Sequence, residues 1–243
     1  HPASLTKMMT LYIAFEALEN GEISEDTRVR ISRHAAAQPP SRLGLRSGQT
    51  IAFRYLIRAA ALRSGNDAAA AIAEALEGSV ANFAVRMNRT ARAIGMSRTH
   101  FVNPHGLTAE GHLSSARDMA ILARQLYFDF PDYYNIFSRM SDNAGIATVN
   151  NTNRLFLSSY RGGDGIKTGF TNAAGYNLAA MAERDGVRLI AVVFGARSSR
   201  DRLNRVSALL DRGFRDAPRR AATRRPARPD YVRGVDDRGG GVA

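Results

Sequence analysis

Three short groupings in this sequence have residue types and spacings suited to nucleophilic chemistry. The first is Ser4-Leu5-Thr6-Lys7. Serine and lysine three apart on a helix share a face and lie within reach of each other. A serine hydroxyl is a weak nucleophile until a base takes its proton. A desolvated lysine, with its pKa lowered, can be that base. The second grouping is Ser64-Gly65-Asn66, a hydroxyl and an amide able to relay a proton and hold a carbonyl. The third is Lys167-Thr168-Gly169. Its cation and hydroxyl suit a carboxylate, and its glycine permits close approach by a ligand or another backbone. Alone, each has a plain structural explanation: a capping serine, a helix start at Asp67, an exposed strand lysine.

Composition sharpens the choice. Only two of the 34 Lys and Arg residues are lysines, Lys7 and Lys167, and both fall in these groupings. Arginine keeps its proton, whereas a buried lysine can lose it. There is no cysteine among the 243 residues, which excludes disulfides, thiol catalysis and cysteine-ligated metals. The five histidines form no His-Glu-x-x-His pair, so no metal is expected, and His105 reads as a loop-structuring residue. No cofactor is implied. The net charge of +12 admits an anionic partner such as nucleic acid or a wall polymer. About a third of the excess, however, lies in an Arg-rich end where Tyr231 is the single aromatic, which argues against a stacking platform for nucleic acid. No uncharged apolar run reaches the roughly 18 residues of a membrane span.

The elements that must position these residues follow from periodicity. Residues 4–20, with Leu5, Met8, Met9, Tyr12, Ile13, Phe15 and Leu18, read as a helix that stops at Gly21. Residues 29–31 suggest a short strand and 35–49 a loop. Thr50 looks like the cap of a helix over 51–62, which breaks at Ser64-Gly65-Asn66; helices over 67–75 and 79–94 follow. The turn residues of 97–115, including Asn103-Pro104-His105-Gly106, carry no period, and 116–127 is helical. Strands are expected over 146–149, 165–170, 176–182 and 188–194, with Asp185-Gly186 as a hairpin, and a closing helix over 198–214. This order predicts an α+β fold with a mainly antiparallel sheet flanked by helices and a helical subdomain. One domain over 1–216 is expected. Residues 217–243, rich in Arg, Pro and Gly, lack the apolar side chains to fold and read as a disordered tail or linker.

Ser-x-x-Lys, then Ser-Asp-Asn, then Lys-Thr-Gly, in that order, is the signature shared by penicillin-binding proteins and class A β-lactamases, and the middle element here reads Ser-Gly-Asn. The sequence closely resembles the low-molecular-mass penicillin-binding proteins that are serine D-Ala-D-Ala carboxypeptidases. The resemblance covers about residues 2–216. It is carried by PASLTKMMT at 2–10, SGNDA at 64–68, NPHGL at 103–107, SSARDMA at 114–120, DGIKTGFT at 164–171 and AGYNL at 174–178. It implies removal of the terminal D-alanine from peptidoglycan stem peptides, acylation by β-lactams, and a place in the periplasm or exported envelope. It implies Ser4 as nucleophile, Lys7 as base, and Ser64 and Asn66 as proton shuttle and amide holder. Lys167 and Thr168 would hold the substrate carboxylate, and the backbone N–H groups of Ser4 and Phe170 would form the oxyanion hole. Family members also carry an arginine after the last strand, here Arg200 or Arg202 with Arg200 favoured, and one near the cleft, here Arg154.

The family usually has a two-stranded segment before the nucleophile helix, whereas this sequence starts three residues before Ser4. Position 170 is Phe where many relatives carry His. The C-terminal β-rich domain and amphipathic anchor of many relatives are not in this sequence. A class A β-lactamase needs a Glu-x-x-Leu-Asn element between residues 66 and 167, and none is present. A D,D-endopeptidase of the same family, and a non-catalytic basic module, are the competing readings.

Overall fold

A computed structural model describes residues 1–218 and 224–229. A 3-10 turn at Ala3–Thr6 leads into α1 (Lys7–Glu19). β1 (Arg28–Arg30), α2 (Arg33–Ala36) and β2 (Thr50–Ala52) follow, then α3 (Phe53–Arg58), which runs into a π turn at Ala59–Arg63. α4 (Asn66–Glu77) and α5 (Val80–Ala93) complete the first helical block. After a long loop come α6 (Ala116–Asp129), α7 (Pro131–Tyr134) and the hairpin β3 (Ser141–Asn143) and β4 (Thr148–Asn150). Then come α8 (Arg154–Ser159), β5 (Gly163–Thr171), β6 (Gly175–Arg184), β7 (Val187–Ala196) and α9 (Ser199–Asp216).

The three long strands form one antiparallel sheet in the order β5-β6-β7, as the α+β reading expects. Its two faces are both covered. Ile166, Ala179 and Met181 point into the main core with α1, α4 and α6. Leu178, Ala180, Ala182 and Val193 pack with Leu203, Val206 and Leu210 of α9. The long buried run of β6 follows from this two-sided covering.

α1 lies at the centre of the main core. Every residue from Lys7 to Phe15 is buried, the polar Lys7 and Thr10 included, so the helix is enclosed on all sides rather than on one face. Ser79, Ser115 and Ser198 cap α5, α6 and α9, each accepting a backbone N–H three residues on.

Two local expectations are corrected. Thr50 is not a helix cap: Thr50–Ala52 is extended because Ile51 pairs with Val29 and Thr50 with Arg30 across β1 and β2. The helix therefore starts at Phe53, two residues later than expected. Ser4 likewise sits in a 3-10 turn ahead of α1, not at the cap of a continuous helix.

Of the expected tail, residues 219–223 and 230–243 lie outside the described residues. Residues 224–229 depart from the expectation and lie along α6. Gln125 Nε2 donates to Ala227 O at 2.8 Å. Arg228 Nη1 donates to Glu19 Oε2 at 2.9 Å, and its guanidinium stands 5.6 Å from the centre of the Phe130 ring. Beneath it Asp129 is fully buried, its Oδ2 accepting from Tyr12 Oη and Gln125 Nε2, each at 2.7 Å. Removing a half-exposed ion-pair partner costs little, whereas stranding two buried donors costs more. Arg228→Ala is therefore expected to lower the unfolding free energy by about 1 kcal/mol or less, and Asp129→Ala by about 2–3 kcal/mol. Urea unfolding of the two variants checks this; equal losses would refute the asymmetry.

Candidate active site

The three motifs converge on one cleft of about 420 Å³. Ser4, Ser64 and Asn66 form its base, with Gly106 and Leu107 on one side, Pro40 and Ser41 on another, and Thr168 to Thr171 along β5. Thr152 and Arg202 complete the end beside Thr168.

Lys7 has no exposed surface. Its Nζ lies 3.0 Å from Ser4 Oγ, 2.7 Å from Asn66 Oδ1 and 2.7 Å from His105 O. Burial pushes its pKa well below the ordinary 10.5; the Lys167 cation lowers it further, and the Asp67 carboxylate opposes the fall. Asn66 Oδ1 and His105 O can only accept. A neutral amine has two N–H groups and one lone pair. With both N–H groups given to those acceptors, the lone pair faces Ser4 Oγ, which is the geometry a general base requires.

His105 itself is held neutral, its pKa pushed down to about 3 by burial and then by Lys7. Its contribution to Lys7 is the main-chain carbonyl. Asn103 Oδ1 accepts from Gly106 N at 2.7 Å and Pro104 O accepts from Thr10 Oγ1 at 2.6 Å, which presses the loop onto the start of α1. His105 is thus loop-structuring, as the sequence suggests. His112 is a contact the sequence did not signal. Its Nδ1 accepts from Val102 N at 2.9 Å, so its Nε2 carries the proton and donates to Thr6 Oγ1 at 2.8 Å.

Ser64 adopts a left-handed conformation at φ 64° directly after the π turn, and Gly65 N bonds back to Ala59 O at 3.0 Å. A non-glycine residue there stores strain, a feature of functional sites. Ser64 Oγ is buried and has no hydrogen-bond partner among the described residues. It is therefore free to bond a substrate or relay a proton.

On β5, Lys167 is fully buried and its Nζ donates to Thr168 O at 3.1 Å. Burial, then the Arg202 cation, lowers its pKa to about 7. Thr168 Oγ1 donates to Thr152 Oγ1 at 2.8 Å, a partner with no sequence signal. Gly169 meets the Ser4 turn so closely that a Cβ there would lie 3.1 Å from Ser4 N and 3.0 Å from Leu5 Cδ1. The close approach expected of this glycine is therefore to Ser4's own turn. Phe170 is half-exposed at the lip, its ring 4.4 Å from that of Tyr176.

Two expected arginines are placed elsewhere. Arg200 is exposed on the first turn of α9 and Arg154 is exposed at the start of α8; neither lines the cleft. Arg202 does, because its place two residues further along α9 turns it over Tyr176, where its Nη1 donates to Asn177 O at 3.3 Å. Among the described residues no group of His, Asp and Glu could hold a metal ion. No single helix there is long and apolar enough to cross a membrane.

A family model described as D-alanyl-D-alanine carboxypeptidase matches residues 1–198. The chain belongs to this family. It is 42% identical over 218 residues to D-alanyl-D-alanine carboxypeptidase DacF of Bacillus subtilis, covering 88% of this chain and 56% of that protein. It is 40% identical over 220 residues to DacA of Escherichia coli, covering 88% and 55%. The chain thus spans about half the length of the curated relatives it matches. Penicillin binding protein 5 of Haemophilus influenzae has the same fold, with TM-score 0.84 at 37% identity, covering 88% of this chain and 64% of that one. Penicillin-Binding Protein D2 of Listeria monocytogenes, solved in a cefotaxime-bound form, gives TM-score 0.78 at 34% identity, covering 87% and 86%.

In this member of the family the turn that carries Ser4 is wedged against Gly106. A Cβ on Gly106, at φ 89°, would sit 1.8 Å from Ala3 O and 2.9 Å from Thr6 Oγ1. Gly106→Ala is expected to cost more than the roughly 1 kcal/mol of an ordinary backbone mismatch and to displace His105 O from Lys7. Thermal unfolding and β-lactam labelling should both show the loss; an unchanged labelling rate would refute it.

Proposed function

We propose that the chain is a serine D-Ala-D-Ala carboxypeptidase that trims peptidoglycan stem peptides in the exported cell envelope and is acylated by β-lactams. One observation carries the reading: a buried lysine whose lone pair has only Ser4 Oγ left to face.

Ser4 Oγ attacks the carbonyl of the penultimate D-alanine and its proton passes to Lys7 Nζ. The resulting oxyanion is held by the backbone N–H groups of Ser4 and Phe170, an arrangement typically worth about 3–4 kcal/mol in the barrier. Ser64 Oγ, otherwise unpartnered, passes the proton to the leaving nitrogen. The peptide C–N bond breaks, free D-alanine departs, and the acyl group stays on Ser4. Water, deprotonated by the same lysine, then releases the shortened peptide. Arg202 and Thr168 hold the terminal carboxylate, Thr168 turning its hydroxyl proton from Thr152 to the substrate, while the buried Lys167 adds its positive charge from behind β5. This requirement for a free carboxylate favours carboxypeptidase over endopeptidase action.

The test is intact-mass measurement after exposure to benzylpenicillin, together with assay of D-alanine released from a stem pentapeptide. One covalent adduct per chain is expected, absent from Ser4→Ala. Lys7→Arg should abolish labelling, because guanidinium cannot accept the proton. Labelling should slow as pH falls through the lowered pKa of Lys7, since protonation removes the lone pair; below that pKa each pH unit should cost about tenfold. An adduct that survives in Ser4→Ala, or D-alanine release at the wild-type rate by that variant, would refute the assignment.

A further inference from the structure

The residue after the second motif, Asp67, is fully buried and has no place in the steps above. Its carboxylate gathers four backbone N–H groups. Oδ1 accepts from Leu43 N at 2.9 Å and Ala68 N at 2.8 Å; Oδ2 accepts from Gly44 N at 2.8 Å and Leu45 N at 3.0 Å. Three of the four donors come from the segment that walls the cleft. The same segment grips Asn66: its Nδ2 donates to Pro39 O at 2.9 Å and its backbone N to Ser41 O at 2.7 Å. Gly65 permits the contact, since a Cβ there would lie 3.0 Å from Asp67 Oδ1 and 3.4 Å from Leu43 N.

We infer that Asp67 is a positioning residue for acylation: it anchors residues 39–45 against α4 so that Pro39 O orients the Asn66 amide and turns its Oδ1 onto Lys7. The inference rests on the reading of Lys7 as the base for Ser4. With Nδ2 committed to Pro39, the Asn66 side chain cannot flip, and Oδ1 is the atom presented to Nζ at 2.7 Å. Releasing the segment frees the amide to rotate. An N–H group facing Lys7 would then compete for the lone pair that Ser4 needs. Asp67 also acts through its charge. Around Lys7 stand Lys167 from β5, the neutral His105 from the loop, and Asp67 from α4, which is the group that favours the ammonium form.

The experiment compares Asp67→Asn and Asp67→Glu with the wild type in the full chain. The first readout is the second-order rate of Ser4 acylation by benzylpenicillin at the high-pH plateau. The second uses the scarcity of lysine: ¹³Cε-lysine labelling gives two signals, and Lys7→Arg assigns one of them. Asp67→Asn places an amide N–H among N–H donors, so the anchor fails; the plateau rate should fall about tenfold or more, as misplacement near 1 Å does. The Lys7 titration should move to lower pH, because the negative charge is gone. Asp67→Glu keeps the charge but shifts the carboxylate by a methylene; the rate should fall and the Lys7 titration should stay. A folded Asp67→Asn acylated at the wild-type rate overturns the inference. So does a rate that falls in both variants with the Lys7 midpoint unmoved in Asp67→Asn, which is what simple loss of support would give. If Asp67→Asn does not fold, Asp67→Glu decides by its rate alone, and an unchanged rate overturns the inference. Failure of the underlying reading looks different: the wild type itself would not be acylated at Ser4.

Discussion

Desolvation of a single amine organises this molecule. Lys7 begins the most deeply buried helix of the protein, and its ammonium form has no water to compensate its charge. Its pKa in the unfolded chain is near 10.5 and in the folded chain well below it. Between those values unfolding takes up a proton. The burial therefore costs stability, in full below the folded pKa and not at all above 10.5. Lys167 adds a second cost of the same sign, present in full below about pH 7 and lost as pH rises to 10.5. The apolar run of α1 and the two-sided packing of β6 supply the core that tolerates two such groups. In exchange, the amine is a base at a pH where an exposed lysine would be a cation.

A base is useful only if its lone pair points correctly, and here direction is set by what surrounds it rather than by Lys7. Asn66 Oδ1 and His105 O come from different elements, α4 and the loop before α6, and each is held by its own contacts. Ser4 is held from two further sides, by β5 at Gly169 and by the loop at Gly106. The glycines are needed because both approaches bring backbone to within Cβ contact of the Ser4 turn. Four separate pieces of chain thus meet within a few ångströms, and the small or strained residues lie where they meet. Ser64, in its left-handed conformation, is one more of them.

How much of this was legible in the sequence depends on the range of the interaction. Ser4, Lys7, Ser64, Asn66, Lys167, Thr168 and Gly169 were readable because local motifs carry them. The sheet strands and the capped helices were readable because periodicity and serine caps are local as well. The helix expected to begin after Thr50 was not, because a three-residue pairing with Arg28–Arg30 overrides the apolar pattern of 51–62. The short α7 and α8 have too few turns to show a period. The contacts of Thr152 with Thr168, His112 with Thr6, and Asp67 with residues 43–45 join segments 16 to 106 residues apart and leave no local trace.

The arginine that lines the cleft shows where periodicity stops being informative. Arg200 precedes the buried Leu203 by three positions and Arg202 precedes the buried Val206 by four, so both stand at helical spacing from the packed face of α9. What separates them is Tyr176 on β6, over which Arg202 lies, and that strand is remote in sequence. The difference between the two cation types was more telling. In a chain that uses arginine for nearly every positive charge, lysine is kept for two positions with no exposed surface. An arginine there would remain charged whatever its surroundings and would need a planar fork of acceptors. Lysine can give up its proton at position 7 and fit a single backbone carbonyl at position 167. The two lysines therefore mark the places where this protein holds a compact amine whose proton can leave.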